Sequence, residues 1–417
     1  MNEIMQNRKK LGINGIGRIG KLTLWQHLNT GHFNCYILNT GRLVGREVED
    51  IINYLTKDST YGSLDRFLYG YSGKNAEIKI VDREAAIFTV NGIPVKVLSA
   101  DRNPRDINWA KEGVQLVVEC TGIYIDPAAP ADQAKGSARG HLEAGAEKVI
   151  VSAPFKIADN ARKMPSDSAM FVYGVNHDKY DPQVHHVISA ASCTTTGLAH
   201  MIKPLLETRE TAHIVTASMS TVHAATNNQN ILDTVPKSGA ADLRKTRSVF
   251  NNIILTTTGA ARALEDILPE IRSVGFMADS VRIPISTSSL IMLNVTFKTT
   301  LGETGEPLLN RNLINEIYQK AADGAQKGMV VYSDKQNVSS DLAGYPAAIV
   351  IEGVETHTRT GFISVDSRTL IECGVQASCD INIPVTHAKI FGWYDNELGS
   401  YVNFLSKLTV YVEKNMP

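Results

Sequence analysis

Cys193 stands in the run Ser189-Ala190-Ala191-Ser192-Cys193-Thr194-Thr195-Thr196-Gly197, and His223 follows thirty residues on, in Thr221-Val222-His223-Ala224. A thiol among small hydroxylated residues has the surroundings of a nucleophile. Residues 186–189 read as a short strand and residues 197–206 as the helix after it. A thiol at a helix N-terminus feels the positive end of the dipole, which favours the attacking thiolate. A histidine placed nearby can take or return its proton. The bland alternative is a buried structural cysteine, the usual fate of a free thiol in a core. Within this segment both readings stand open.

The N-terminal region changes that balance. Lys10 to Asn14 is a short apolar strand running into Gly15-Ile16-Gly17-Arg18-Ile19-Gly20, and residues 21–28 carry helical spacing. A Gly-x-Gly-x-x-Gly run between strand and helix is the context in which it binds a dinucleotide. The first glycine permits the tight turn, the second lets backbone approach a pyrophosphate, and the third packs helix on strand. N–H groups at the helix start then face the phosphates. A second strand at residues 33–38 completes a βαβ spacing. A nicotinamide cofactor together with a cysteine nucleophile points to oxidation of an aldehyde through a thioester.

These residues need a large scaffold, and 417 residues suffice for two domains. A formal net charge of −1 gives no push toward nucleic acid or membrane. No apolar run reaches the length of a membrane span, and the first ten residues lack the apolar stretch of a signal peptide. The five cysteines have no metal-type spacing, and an odd total beside a reactive thiolate implies a reducing compartment without disulfides. The expected localisation is cytoplasmic, with no metal. Residues 78–98 suggest a small antiparallel elaboration, while residues 114–118 and 148–151 have buried parallel-strand character. Residues 126–139 are rich in Pro and Ala and are expected on the surface. After Cys193 the strands (213–222, 289–297, 347–351, 362–365, 389–394) follow one another without intervening helices, which favours a mixed or antiparallel sheet. Residues 308–325 and 400–414 read as helices.

With both motifs in view, the chain resembles the phosphorylating glyceraldehyde-3-phosphate dehydrogenases. The resemblance rests on residues 13–20, 191–195, 221–230, 256–261, 281–284 and 393–397, in the family's order. It implies an α/β fold, with a Rossmann-type dinucleotide-binding domain at residues 1–191 onto which the C-terminal helix 398–417 packs back. An α+β catalytic domain would occupy 192–397. The implied reaction is phosphorylating oxidation of D-glyceraldehyde 3-phosphate to 1,3-bisphosphoglycerate by a homotetramer, with NAD or NADP as cofactor and inorganic phosphate as second substrate. Cys193 would form the hemithioacetal and thioester, and His223 would stabilise the thiolate and take the hydroxyl proton. Cofactor contacts would come from Gly15, Gly17, Arg18, Ile19, Gly20, Asn39, Thr40, Thr121, Gly122, Ser152 and Asn396. Ser192, Thr194, Thr258 and Gly259 fall at the attacking-phosphate site; Thr226, Arg282 and, from the cluster Arg244-Lys245-Thr246-Arg247, Arg244 fall at the substrate-phosphate site. Arg282 reads as the one charge in an otherwise apolar strand. His185, His186 and His200 read as structural. A related dehydrogenase of erythrose 4-phosphate and a non-catalytic cofactor-binding homologue are the alternatives.

Several positions depart from the family pattern. The aspartate that usually binds ribose hydroxyls after the second strand is absent from Asn39-Thr40-Gly41-Arg42. Its loss removes repulsion of a 2′-phosphate, and Arg42 offers a cation, so NADP use is expected. A shifted acid, Glu47 or Glu49, is the competing explanation. Thr196 and Gly197 replace the usual Asn and second Cys, and Asn228 a usual Asp. The stretches 233–247 and 338–391 read as longer than usual.

Overall fold

In the computed structural model, the strand Lys10–Asn14 lies at the centre of a nine-stranded sheet. Described are all residues except 1–4, 6, 7, 100, 160 and 228, so Asn228 lies outside the described residues. The chain divides into two units, Met1–Cys193 with Glu397–Pro417, and Thr194–Asn396.

In the first unit the strands run in space as Ser168–Met170, Val187–Ser189, Lys148–Val151, Leu116–Glu119, Lys10–Asn14, Cys35–Asn39, Ile93–Leu98, Ile87–Val90 and Ile78–Asp82. The first seven are parallel and the last two antiparallel. Residues 78–98 form the expected antiparallel strands, as an extension of the main sheet. Ile93–Leu98 pairs in parallel with Cys35–Asn39, with Val95 and Val97 buried in the main core. The helix Arg18–Thr30 packs Leu22, Trp25 and Leu28 into that core beside Leu405, Leu408 and Val412 of the helix Asn403–Lys414. The expected tail helix begins differently, as a π-helical turn at Leu398–Val402, with Gln26 Nε2 donating to the Leu398 carbonyl at 2.8 Å. Residues 126–139 are only partly on the surface. Arg139 donates to the Pro127 carbonyl at 2.7 Å and pairs with Asp167, which draws Ala129 and Ala138 inside.

The second unit is built on an eight-stranded mixed sheet. Its order is Ile254–Thr257, Gly275–Arg282, Ile214–His223, Ser289–Lys298, Ile381–Tyr394, Ile349–Glu352 and Val330–Ser333, with His357–Val365 also paired on Ile381–Tyr394. Ile214–His223 pairs in parallel with Gly275–Arg282 and antiparallel with Ser289–Lys298. The burial of Ser289–Lys298 alternates strictly, the period of a strand with one covered face. Arg282 closes a strand that also carries Asp279 and Ser280, so its setting is less apolar than expected. The helix expected at 308–325 runs over Arg311–Asp323, opened by Asn310, whose side chain accepts from Leu313 N. The helix Cys193–Glu207 begins four residues before Gly197, which lies inside it with Ile349 and Ile291 beside its Cα. The fold is thus α/β, a Rossmann-type unit plus a unit with a mixed sheet.

Candidate active site

The glycine loop divides its work as steric limits require. Gly15 has φ +86°, and a Cβ there would meet Thr121 Cγ2 at 2.7 Å. A Cβ on Gly20 would meet the Gly15 carbonyl oxygen at 1.9 Å. A Cβ on Gly17 would meet nothing within 4 Å, so the second glycine faces open space. That space over a helix start fits the phosphates of a dinucleotide. The first-turn N–H groups of Arg18, Ile19 and Gly20 have no acceptor within the helix and point there. The Arg18 side chain is engaged elsewhere, with Thr60 and with Glu397 at 3.3 Å, so its share in such a site is backbone.

Beneath this edge of the sheet lies a buried network centred on Glu119, which sequence reasoning missed. Its Oε2 accepts from Asn14 Nδ2 at 2.6 Å and lies 2.9 Å from His141 Nε2. Trp109 Nε1 donates to His141 Nδ1 at 2.9 Å, which places the ring proton on Nε2. Oε1 accepts from both the backbone N–H and the hydroxyl of Thr121. Asn39 Nδ2 donates to Asn14 Oδ1 at 2.8 Å and to the Asp101 carbonyl at 3.0 Å. Thr121 and Asn39 therefore present few free donors toward a cofactor. Thr121 keeps its carbonyl, and Gly122 follows at φ +68°. Ser152 donates its N–H to the Glu119 carbonyl, and its side chain lies against the Cys120 thiol. The signal available was a Glu and an Asn closing apolar strands. A buried polar residue there needs partners.

Thr40 Oγ1 lies against two carbonyl oxygens, Arg42 at 2.5 Å and Leu98 at 3.1 Å. The Arg42 side chain is exposed. Of the competing acids, Glu49 is paired with Arg83, while Glu47 is exposed at the start of the helix Val48–Leu55.

The turn into Cys193 is strained and braced. Ala191 has φ +58°, costly for a residue with a Cβ, and its N–H donates to Ser189 Oγ at 3.0 Å. Ser189 Oγ donates to the Ala153 carbonyl at 2.7 Å, and Tyr401 Oη donates to the Ala191 carbonyl at 3.1 Å. Ser192 and Cys193 follow half-buried, with Cys193 as the first residue of the helix. All five cysteines are free thiols. Burial pushes the Cys35 thiol up to about 11 and the Cys120 thiol up to about 12, so neither is a competing nucleophile.

In the second unit His223 is the last residue of its strand and is 4% exposed. Its Nδ1 lies 2.5 Å from Arg282 Nη1 and 2.8 Å from the Ala224 carbonyl oxygen. Burial and then the Arg282 charge push its pKa down to about 3, against the opposing pull of the Ala224 carbonyl. The ring is neutral at physiological pH. A neutral imidazole has a ring nitrogen that can accept a proton. Asn396 Nδ2 lies 3.3 Å from Nε2 and 3.4 Å from Nδ1, and its Oδ1 accepts from Ser289 Oγ at 2.9 Å. Tyr394 Oη joins Thr194 Oγ1 at 2.8 Å to Thr221 Oγ1 at 2.9 Å. His200 is buried, with Nδ1 2.8 Å from the Thr196 carbonyl, and His185 Nδ1 accepts from Asp181 N.

One pocket of this unit is lined by Thr226, Gln229, Arg244, Lys245, Arg247, Thr256 and Arg282. It gathers the three residues expected at a substrate phosphate and adds two more cations. Arg244 donates to Asp242 and Arg247 to Asp233, both at 2.8 Å. Thr258 and Gly259 stand together at the start of the helix Ala260–Ile267, where the Thr258 hydroxyl accepts from Ala260 N. Among the described residues no group of His, Cys, Asp and Glu could hold a metal ion, and no helix is long and apolar enough to cross a membrane.

Comparison with known proteins places two family models on the chain. Residues 9–127 match the glyceraldehyde 3-phosphate dehydrogenase NAD binding domain, and residues 192–396 match its C-terminal domain. A glyceraldehyde-3-phosphate dehydrogenase of Streptomyces coelicolor is 36% identical over 405 residues, covering 97% of this chain and 98% of the relative. Glyceraldehyde-3-phosphate dehydrogenase 1 of Bacillus subtilis is 33% identical with the same coverage.

Proposed function

The chain belongs to the glyceraldehyde 3-phosphate dehydrogenase family, and on that premise we propose that it is a phosphorylating oxidoreductase of D-glyceraldehyde 3-phosphate that acts through Cys193. The observation that carries this reading is Arg282, which lines the cationic pocket with Thr226 and Arg244 and also hydrogen-bonds His223. One guanidinium thus joins an anion site to a neutral base.

Gly15, Gly17 and Gly20, with the N–H groups of Arg18 and Ile19, would hold the pyrophosphate of a nicotinamide dinucleotide, which supplies the hydride acceptor. Asn39, Thr40, Thr121, Gly122, Ser152 and Asn396 complete the assigned contacts. The Cys193 thiolate adds to the aldehyde carbon, forming a C–S bond as the carbonyl π bond opens, and the oxygen takes a proton from water to give a hemithioacetal. His223 Nε2 takes the hydroxyl proton as the carbon is oxidised to a thioester. The N–H of Cys193, at the helix start, donates to the oxyanion. Inorganic phosphate, held by Ser192, Thr194, Thr258 and Gly259, then attacks the thioester carbon and returns the thiolate. Thr226, Arg244 and Arg282 hold the substrate phosphate through charge-assisted bonds. The product is 1,3-bisphosphoglycerate.

Both NAD and NADP are used in this reading, because Thr40 stands in place of the usual acid and Arg42 lies exposed two residues on. The working form is a cytoplasmic homotetramer. Steady-state assays with each dinucleotide, with and without inorganic phosphate, test the whole proposal. Turnover that does not need phosphate, or none with this aldehyde, would exclude it.

A further inference from the structure

Three buried polar residues close adjacent parallel strands in register. Asn14 is the partner of Asn39 on one side and of Glu119 on the other. They form a row across the carboxyl edge of the sheet, where open α/β sheets bind their ligands. The strands on either side end differently. Val151 is the register partner of Glu119, and Leu98 that of Asn39. The polar stretch is thus confined to the three strands around the glycine turn, although apolar residues would close them at lower cost.

The direction of every hydrogen bond in the row follows from the carboxylate. Glu119 meets Asn14 Nδ2, His141 Nε2, and the N–H and hydroxyl of Thr121, all of them donors. A carboxylate only accepts, so Asn14 turns its NH2 toward Glu119 and its carbonyl toward Asn39. Asn39 answers with its own NH2 at 2.8 Å, and the same group reaches the Asp101 carbonyl at 3.0 Å. Its oxygen is left for the Gly41 N–H, at 3.4 Å. Reversing Asn14 would reverse Asn39, setting donor against donor at Gly41 and acceptor against acceptor at Asp101. One charge therefore orders two turns. After its own strand it holds Thr121, whose hydroxyl accepts from Ile123 N at 3.2 Å. Across the row it holds residues 39–42, where Arg102 Nε also donates to the Gly41 carbonyl at 3.1 Å.

We propose that Glu119 is a positioning residue for the dinucleotide, whose charge fixes the turn at Thr121 directly and the turn at residues 39–42 through the amides of Asn14 and Asn39. It touches no part of the cofactor itself. The inference rests on the reading that places the dinucleotide on this edge, with the adenosine ribose at Thr40. It adds that a buried carboxylate behind the edge holds the adenosine end in shape before the cofactor arrives. Ordering done in advance is ordering that binding need not supply.

The test titrates the full-length enzyme with NAD and, separately, with AMP, which carries only the adenosine end. Glu119→Gln keeps the side chain's length but sets an NH2 against donors, at Asn14 or at Thr121 according to its orientation. Its NAD affinity should fall on the order of 10-fold, the equivalent of one lost hydrogen bond to a charged group. Turnover at saturating NAD should be unchanged. Asn14→Ala interrupts the row alone, and should weaken NAD and AMP several-fold by the same factor. Trp109→Phe removes the bond to His141 while leaving the carboxylate and the row in place. It should lower the melting temperature and leave both affinities unchanged, whereas a merely structural network would lose affinity there equally. That equal loss would overturn the proposal. So would unchanged NAD affinity in either of the other variants, a loss confined to kcat, or AMP binding indifferent to Asn14→Ala. If Glu119→Gln does not fold, Asn14→Ala decides. Wild-type enzyme that binds neither NAD nor AMP would instead reject the placement of the cofactor.

Discussion

His223 and Arg282 are direct partners in the parallel pairing of Ile214–His223 with Gly275–Arg282, which sets their side chains 2.5 Å apart at the strand ends. Two residues 59 apart in sequence are thus joined by register. Slipping either strand by one residue would turn its side chain to the opposite face.

The first prediction concerns the base in this pair. His223→Asn should lower the acylation rate on the order of 10² to 10⁴-fold, the range for loss of a positioned general base. Because burial and Arg282 hold the ring pKa down to about 3, wild-type activity should show no histidine titration between pH 5 and 8. A wild-type acid limb near pH 6.5 that vanishes in the variant would contradict the neutral base.

The glycine loop offers a contrast between two chemically identical changes. Gly17 has φ −58°, accessible to alanine, and open space where its Cβ would stand. Gly17→Ala should fold with stability within about 0.5 kcal/mol of wild type, as an unhindered surface change does. The dinucleotide KM should nevertheless rise tenfold or more, since the methyl fills the space assigned to phosphate. Gly20→Ala should fail to give stable protein, because its methyl would lie 1.9 Å from the Gly15 carbonyl oxygen. Thermal melts and cofactor titration of both variants check the pair. Unchanged cofactor binding in Gly17→Ala would remove the loop from the cofactor site.

This contrast shows what a sequence can carry. The glycines are legible because backbone sterics alone demand them, and strand and helix flank them locally. Lys10–Asn14 needs no more than its apolar run and the following turn. Glu119 is not legible in the same way: nothing local says that Asn14, Thr121 and His141 will converge on one carboxylate. The pairing of Arg282 with His223, and the gathering of Arg244 with Thr226, likewise depend on the order of strands distant in sequence. Residue types marked the candidates, while topology decided which of them meet.

Thr40 carries the prediction on cofactor choice. Its hydroxyl can donate to either of two carbonyls, and Thr40→Asp would set a carboxylate against both oxygens. Repelled by them, the new side chain should turn toward the ribose and repel a 2′-phosphate. NADP should weaken by more than tenfold and NAD by much less, with added salt narrowing the gap. Kinetics with both dinucleotides decide this. A wild type that already rejects NADP would move the acid's role to Glu47, since Glu49 is bound to Arg83.

Stability should depend on pH through buried neutral histidines. His27 lies on the helix Arg18–Thr30, 0% exposed, and neither ring nitrogen has a hydrogen-bond partner among the described residues. Burial, and secondarily the charge of His32, push its pKa down to about 3 from 6.5. His223 is lowered to about 3 as well, and burial lowers His185. Each group binds its proton near pH 6.5 in the unfolded chain but resists it in the folded one. Their contribution to stability is therefore complete above pH 6.5 and is lost as pH falls toward 3, at about 1.4 kcal/mol per pH unit for each fully buried ring. The carboxylates held low by their partners, Asp58, Asp167 and Glu413, start from ordinary values of 3.8 to 4.5 and add to the loss only at lower pH. Between pH 6.5 and 5 the slope thus belongs to histidine. His27→Leu should flatten it by roughly 1.4 kcal/mol per pH unit, the share of one proton. Denaturant unfolding at half-unit steps from pH 7.5 to 5 measures the slope, and an equally steep fall in the variant would show that His27 is not a source of the loss.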